Sequence, residues 1–305
     1  MKKFFGIIVL ILTAFVSCKN TPKQSIEKFD IQEVRKENYV LNFSSNDIKK
    51  VLILFGGFGE KPEDIKREFN ILEIAKENNT ALIYMNYNQK LWLEENEKRE
   101  LSGQLQKIFQ VNNLPRKDIY FGGFSSGGNV TLLISSFLIE NKIYNLKPKG
   151  VFIIDSPIDL VALYRSSEKN LKRNFSEVSV QESKWIIETL GNKFGNPTDN
   201  ILKYQDYAVY TSTTNYTDNL KSLKNTKMRF YTEPDTLWWK ENRKADFDQM
   251  NAFYIKILYE NLNKIGFDKV EYLPTENKGF RANGVRHPHS WSIVDKEDLM
   301  QWMNK

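Results

Sequence analysis

Two rhythms of apolar residues alternate along this chain. KVLILF from Lys50, TALIYMNY from Thr80, DIYFGG from Asp118 and GVFIID from Gly150 are apolar almost without a break, the pattern of strands buried on both faces. Between them lie amphipathic stretches. Pro62 and Glu63 open one in which Ile65, Phe69, Ile71, Leu72 and Ile74 keep helical spacing; a second runs from Trp92 to Phe109, and a third is GNVTLLISSFLIEN. Buried strands alternating with helices predict a parallel sheet covered on both faces. FDIQEV and YVLNFS, ahead of these, read as two short antiparallel strands. The alternation lapses from Ile158 to Thr226, too long for an ordinary connection, and this stretch reads as a helical cap over the strand ends. It resumes with KMRFYTE, a long helix from about Arg243 to Ile265, KVEYLP and a terminal helix KEDLMQWM. The expected class is therefore α/β: a mostly parallel, eight-stranded sheet in a domain spanning 29–305, with the cap at 158–226.

Composition changes this picture little. The chain has 305 residues, 41% of them hydrophobic and 13% aromatic, enough for a sizeable core. Its formal charge of +6 comes from lysines scattered among acidic neighbours, without a basic stripe. That distribution is a solvated surface and excludes nucleic acid as the expected partner.

The first residues read differently from the rest. Lys2 and Lys3 precede an apolar run, Phe4 to Val16, that ends at Ser17-Cys18. A basic start, a short apolar stretch and a small residue describe a secretory signal, and the run falls short of the ~20 residues of a spanning helix. FVSC resembles the lipobox of bacterial lipoproteins, with Phe15 where leucine is usual. The resemblance implies cleavage before Cys18, the only cysteine of the chain, and lipid attachment to it. Residues 18–28 would then be a polar tether, and the expected location is the cell envelope, lipid-anchored at the outer membrane or the periplasmic face. With Cys18 so used, no disulfide is available and stability must come from the core.

The candidate chemistry begins at YFGGFSSGGNV. Gly123-Phe124-Ser125-Ser126-Gly127 fits G-x-S-x-G, between an expected strand and an expected helix. Small neighbours let strand and helix approach, and the helix start beneath the hydroxyl favours developing negative charge. Ser126 does not fit, because Phe124 stands two residues before it. A glycine turn with no chemistry is the bland alternative for the motif alone.

At these residues the chain resembles the α/β-hydrolase family, over about Phe29 to Lys305. The resemblance implies a nucleophile, an acid and a histidine in that order, with Ser125 as nucleophile. Only His287 and His289 are available, both in GVRHPHSWSIVD. His289 is preferred as base because Ser290 and Trp291 follow it, as in esterases of this fold; His287 stays open. Family position puts the acid after the strand that follows the cap, at Asp235 in MRFYTEPD, although Thr232 replaces the usual glycine. Glu233 and Asp155, at the end of VFIID, are its competitors. The oxyanion hole would take one N–H from Ser126 and one from FGGFGE, at Gly57 or else Phe58. Phe55 stands where many relatives carry histidine, which removes a brace but no donor.

A metal reading of His287-x-His289 lacks further ligands at suitable spacing. Tyr87, Trp92, Trp238, Trp239 and Trp291 are expected either around the site, suiting an aryl group or a sugar face, or in the core beneath the cap. The resemblance thus implies hydrolysis of a small-molecule or glycan-linked carboxylic ester through an acyl-enzyme, with no cofactor. A prolyl-oligopeptidase-like peptidase is the second enzymatic reading, although such relatives usually add a β-propeller for which this chain has no room. A catalytically silent binding lipoprotein is the rival of another class.

Overall fold

A computed structural model describes residues 31–44 and 47–305; the signal-like segment, Cys18 and the tether lie outside them. Eight strands form one sheet: β1 (Ile31–Lys36), β2 (Tyr39–Ser44), β3 (Lys50–Phe55), β4 (Thr80–Met85), β5 (Ile119–Phe124), β6 (Pro148–Ile154), β7 (Lys227–Thr232) and β8 (Val270–Pro274). Their order is β1-β2-β4-β3-β5-β6-β7-β8. β1 and β2 pair antiparallel, as do β2 and β4, and every later pair is parallel. This is the mostly parallel eight-stranded sheet expected from the alternation, and it agrees with the fold that the resemblance to α/β-hydrolases implies.

The unbroken apolar runs follow from the pleat. Ile53, Phe55, Phe121 and Ile153 face one core layer, while Leu52, Leu54, Tyr120 and Ile154 face the other. Successive side chains point to opposite faces, so a strand covered on both sides has no position left for a polar residue.

Helices cover both faces: α1 (Pro62–Phe69), α2 (Leu72–Glu77), α3 (Glu95–Val111), α4 (Ser126–Glu140), α5 (Leu160–Arg173), α6 (Glu177–Phe194), α7 (Ile201–Gln205), α8 (Thr236–Arg243), α9 (Asn251–Lys264) and α10 (Lys296–Asn304). Three expectations are corrected. The helix opening at Pro62 is two helices, because Asn70 takes a left-handed conformation (φ 45°) between them. The second starts at Glu95 rather than Trp92, with Glu94 as its N-cap. The long helix from Arg243 is α9 alone. Before it lies an unanticipated one, α8, capped by Asp235 and closed by Lys244 at φ 54°.

Within the expected cap, α5, α6 and α7 share a small core of their own, built on Leu160, Tyr164, Leu190, Phe194 and Tyr204. Val209, Tyr210, Leu220 and Leu223 pack instead into the main core. The end of 158–226 is therefore part of the sheet's packing, not of the covering layer. Among the described residues no helix is long and apolar enough to cross a membrane.

Candidate active site

Ser125 sits in the turn from β5 to α4, with φ 53° and ψ −129°. A non-glycine residue reaches such a conformation only when its surroundings impose it. Here Ser125 N–H donates to the Ile154 carbonyl at 2.9 Å. The neighbouring backbones also approach too closely for side chains. A Cβ on Gly123 would stand 2.2 Å from the Gly127 carbonyl oxygen, and one on Gly127 would stand 2.3 Å from that of Gly56. The glycines of the motif are thus the condition for three chain segments to meet at the serine. Ser126 begins α4, so its N–H belongs to the helix start, where intrahelical acceptors are lacking.

His289 and Asp155 meet beside it, with His289 Nδ1 2.6 Å from Asp155 Oδ2. Asp155 follows β6, is 5% exposed and, like Ser125, has a positive φ, 43°. Its backbone is pinned on both sides: its N–H donates to the Tyr231 carbonyl at 2.9 Å, and its own carbonyl accepts from Asn251 Nδ2 at 2.8 Å. The His289 ring packs on Phe124 at 4.5 Å between centroids. A carboxylate at Nδ1 holds the proton there and leaves Nε2 as the acceptor. Ser125, Ser126 and His289 line one cavity of about 460 Å³. No hydrogen bond joins the Ser125 hydroxyl to the ring among the described residues; such contacts commonly tighten only when substrate is bound.

The expected acid, Asp235, lies elsewhere. Its Oδ1 accepts the Trp238 N–H at 2.9 Å as the N-cap of α8, and its Oδ2 accepts from Arg286 at 2.6 Å. Both oxygens are engaged, and neither meets a histidine. Glu233 is no closer to the role. Its side chain, 1% exposed, pairs with Arg286 and accepts the Lys278 and Gly279 N–H groups, anchoring the loop that leads to His289. Asp155, the more distant competitor from the sequence, is the carboxylate that reaches the imidazole.

His287 has no carboxylate. It packs against Trp238 at 4.7 Å, and its Nδ1 is buried without a hydrogen-bond partner among the described residues. Burial first, then the neighbouring His289, Arg281 and Arg243, push its pKa down to about 3. The ring is therefore neutral in the folded protein near pH 7, whereas the unfolded chain takes up a proton near pH 6.5. Its contribution to stability is complete above pH 6.5 and is lost as pH falls toward 3. His287→Phe should accordingly flatten the acid-side fall of the melting temperature between pH 7 and pH 4. An acid limb with unchanged slope in the variant would refute this.

The oxyanion loop also differs from expectation. Gly57 lies against Ser125, for a Cβ there would stand 3.2 Å from Ser125 Cβ. Its N–H, however, donates to Glu60 Oε2 at 2.8 Å and is not available to a substrate oxygen. The Phe58 N–H, the alternative donor, has no hydrogen bond among the described residues. Glu60 is a buried link: the same Oε2 accepts Trp291 Nε1 at 3.1 Å. It ties the loop after β3 to the segment just beyond His289. Burial raises its pKa, and the Gly57 and Trp291 hydrogen bonds offset part of that rise.

The aromatic residues divide. Trp291 is fully buried in one core layer, and Tyr87 packs against the other, edge-on to Phe55. Trp92 borders a smaller neighbouring cavity, Trp238 covers His287, and Trp239 lines the cavity of Ser125. Sequence reasoning missed Trp185 on α6. Its ring meets that of Phe58 at a tilt, 4.6 Å between centroids, and the two residues, 38% and 46% exposed, form an apolar lip. Among the described residues no group of three His, Cys, Asp or Glu is placed to hold a metal ion.

No protein-family model and no curated protein matches the sequence. The fold does match solved structures. Carboxyl esterase 2 of the fungus Tuber melanosporum has a TM-score of 0.55 at 13% identity, covering 92% of this chain and 83% of that one. The Francisella virulence factor BioJ gives 0.53 at 16%, covering 91% and 85%. The fluorophosphonate-binding serine hydrolase F of Staphylococcus aureus gives 0.51 at 13%, covering 91% and 98%. At such identities the likeness is one of fold.

Proposed function

We propose that this protein is a serine esterase in which Ser125 is the nucleophile, His289 the base and Asp155 the group that orients it. The observation that carries the reading is the 2.6 Å contact of His289 Nδ1 with Asp155, in the cavity of a serine held at φ 53°. Ser125 Oγ attacks the ester carbonyl as His289 Nε2 takes its proton. The Ser126 and Phe58 N–H groups stabilise the oxyanion, and His289 returns the proton to the departing alcohol. Water then attacks the acyl-enzyme with His289 again as base, regenerating the serine hydroxyl and releasing the acid. Asp155 stabilises the transient imidazolium. The esterase and fluorophosphonate-binding descriptions of the fold neighbours support the same class. The test is covalent labelling by a fluorophosphonate together with hydrolysis of 4-nitrophenyl acetate, both dependent on Ser125. Absence of both from the folded protein would sink the reading.

Export and lipid anchoring at Cys18 are proposed from the sequence alone. Cys18→Ala should move the protein out of the membrane fraction, and membrane retention of that variant would refute lipid attachment as the anchor.

A further inference from the structure

Every arginine among the described residues except Arg243 and Arg281 holds a side-chain hydrogen bond to a carboxylate, another side chain or a carbonyl. Those two line the cavity of Ser125. Arg243 ends α8, and Arg281 lies in the loop between β8 and His289; both are half-buried. Arg281 sits over the Phe124 ring, 5.8 Å from its centroid, directly beside the nucleophile.

Among the described residues no carboxylate lies within ion-pair distance of either guanidinium, and Glu60 acts on Arg281 only through a longer-range charge attraction. Asp155 is engaged by His289, and Glu60 Oε2 accepts from Gly57 and Trp291. Glu182 is an exposed residue of the rim. The histidines add no fixed counter-charge. Two like charges sharing a partly enclosed cavity repel, and a guanidinium left without a partner forfeits the fork-shaped hydrogen bonding that distinguishes it from other cations. An incoming anion would supply both the charge and the acceptors.

We propose that the preferred ester carries an anionic group, a carboxylate in the first instance, received by Arg243 and Arg281. Trp239, Phe58 and Trp185 provide the apolar wall along which the rest of the molecule lies. This deepens the ester-cleaving reading and rests on it. The anion belongs to the alcohol part or to the acyl part of the ester, and two substrate pairs separate these cases. One pair is 4-acetoxybenzoate against its neutral methyl ester; the other is mono-4-nitrophenyl adipate against 4-nitrophenyl hexanoate.

In at least one pair the anionic member should have the higher kcat/KM, an advantage that shrinks as salt is raised. Arg243→Gln and Arg281→Gln should each reduce that ratio by about 10- to 100-fold, the scale of a hydrogen bond to a charged group. Arg→Lys at either position should restore part of it. A ratio of one or less in both pairs for the unmodified protein overturns the proposal while leaving ester hydrolysis intact. So does a ratio that neither variant changes. Should none of the four esters be cleaved, fluorophosphonate labelling and turnover of 4-nitrophenyl acetate decide the ester reading separately, and calorimetry with 4-hydroxybenzoate and adipate still decides the anion site. Binding that both Gln variants abolish upholds it, and no binding overturns it.

Discussion

Ser125→Ala is expected to leave a folded protein whose ester hydrolysis is lower by about four to six orders of magnitude. The substitution removes the reacting oxygen and little else. Alanine fits the volume, and the strained turn is held by the contacts of Gly123 and Gly127 and by the Ser125 N–H bond to Ile154. Fluorophosphonate labelling should vanish in the same variant. Ser126→Ala should stay within about tenfold of the unmodified rate, because its proposed part is a backbone N–H that alanine retains. His289→Ala should match Ser125→Ala, and the double variant should be no slower than either, since nucleophile and base act as one unit. Measured turnover of 4-nitrophenyl acetate with folding checked by circular dichroism decides the matter. Equal hydrolysis by all these variants would reduce the serine to a turn residue.

Asp155→Asn should lower kcat by about 10⁴-fold with KM little changed. The asparagine amide donates where the carboxylate accepts, so the imidazole turns to its other tautomer and presents Nε2–H to a hydroxyl that must give up its own proton. The 2.6 Å contact and the near-complete burial of Asp155 leave water little room to substitute for the lost acceptor. Asp235→Asn should stay within about threefold, because asparagine also serves as an N-cap and only the Arg286 contact is weakened. Comparing the two variants on one ester separates the assignments. A silent Asp155→Asn beside a crippled Asp235→Asn would restore the acid expected from the sequence.

That Asp155 and not Asp235 meets the histidine has a local cause. Asp235 lies three residues beyond the end of β7 and precedes Thr236-Leu237-Trp238-Trp239, and the same residues that resemble a catalytic loop also form a capped helix. α8 was not anticipated. Once it forms, the Trp238 N–H and Arg286 take both oxygens of Asp235. Asp155 has a complementary signal in the sequence, an acid directly after a buried apolar run, yet that position serves equally well as a turn cap. Its meaning depends on β6 lying next to β5, which brings the two strand ends together. Gly57 failed for a similar reason, since Glu60 lies only three residues on but reaches the loop's N–H through its fold back toward Trp291.

What the sequence determined by itself was the strand pattern and the local motifs, though not every helix boundary. The eight strands, the parallel sheet and the serine between glycines follow from spacing, turn sterics and apolar runs, which depend on neighbours in the chain, while the histidine before Ser290 and Trp291 was marked only by the family resemblance. Only the tertiary structure decided which carboxylate meets His289, which N–H of the oxyanion loop stays open, and that Arg243 and Arg281 share a cavity with Ser125. Arg243 is separated from Ser125 by the whole cap, and Asp155 from His289 by 134 positions. Hydrogen bonds and charges act over a few ångströms in space, and distance along the chain carries no information about such pairs until the sheet order has brought them together.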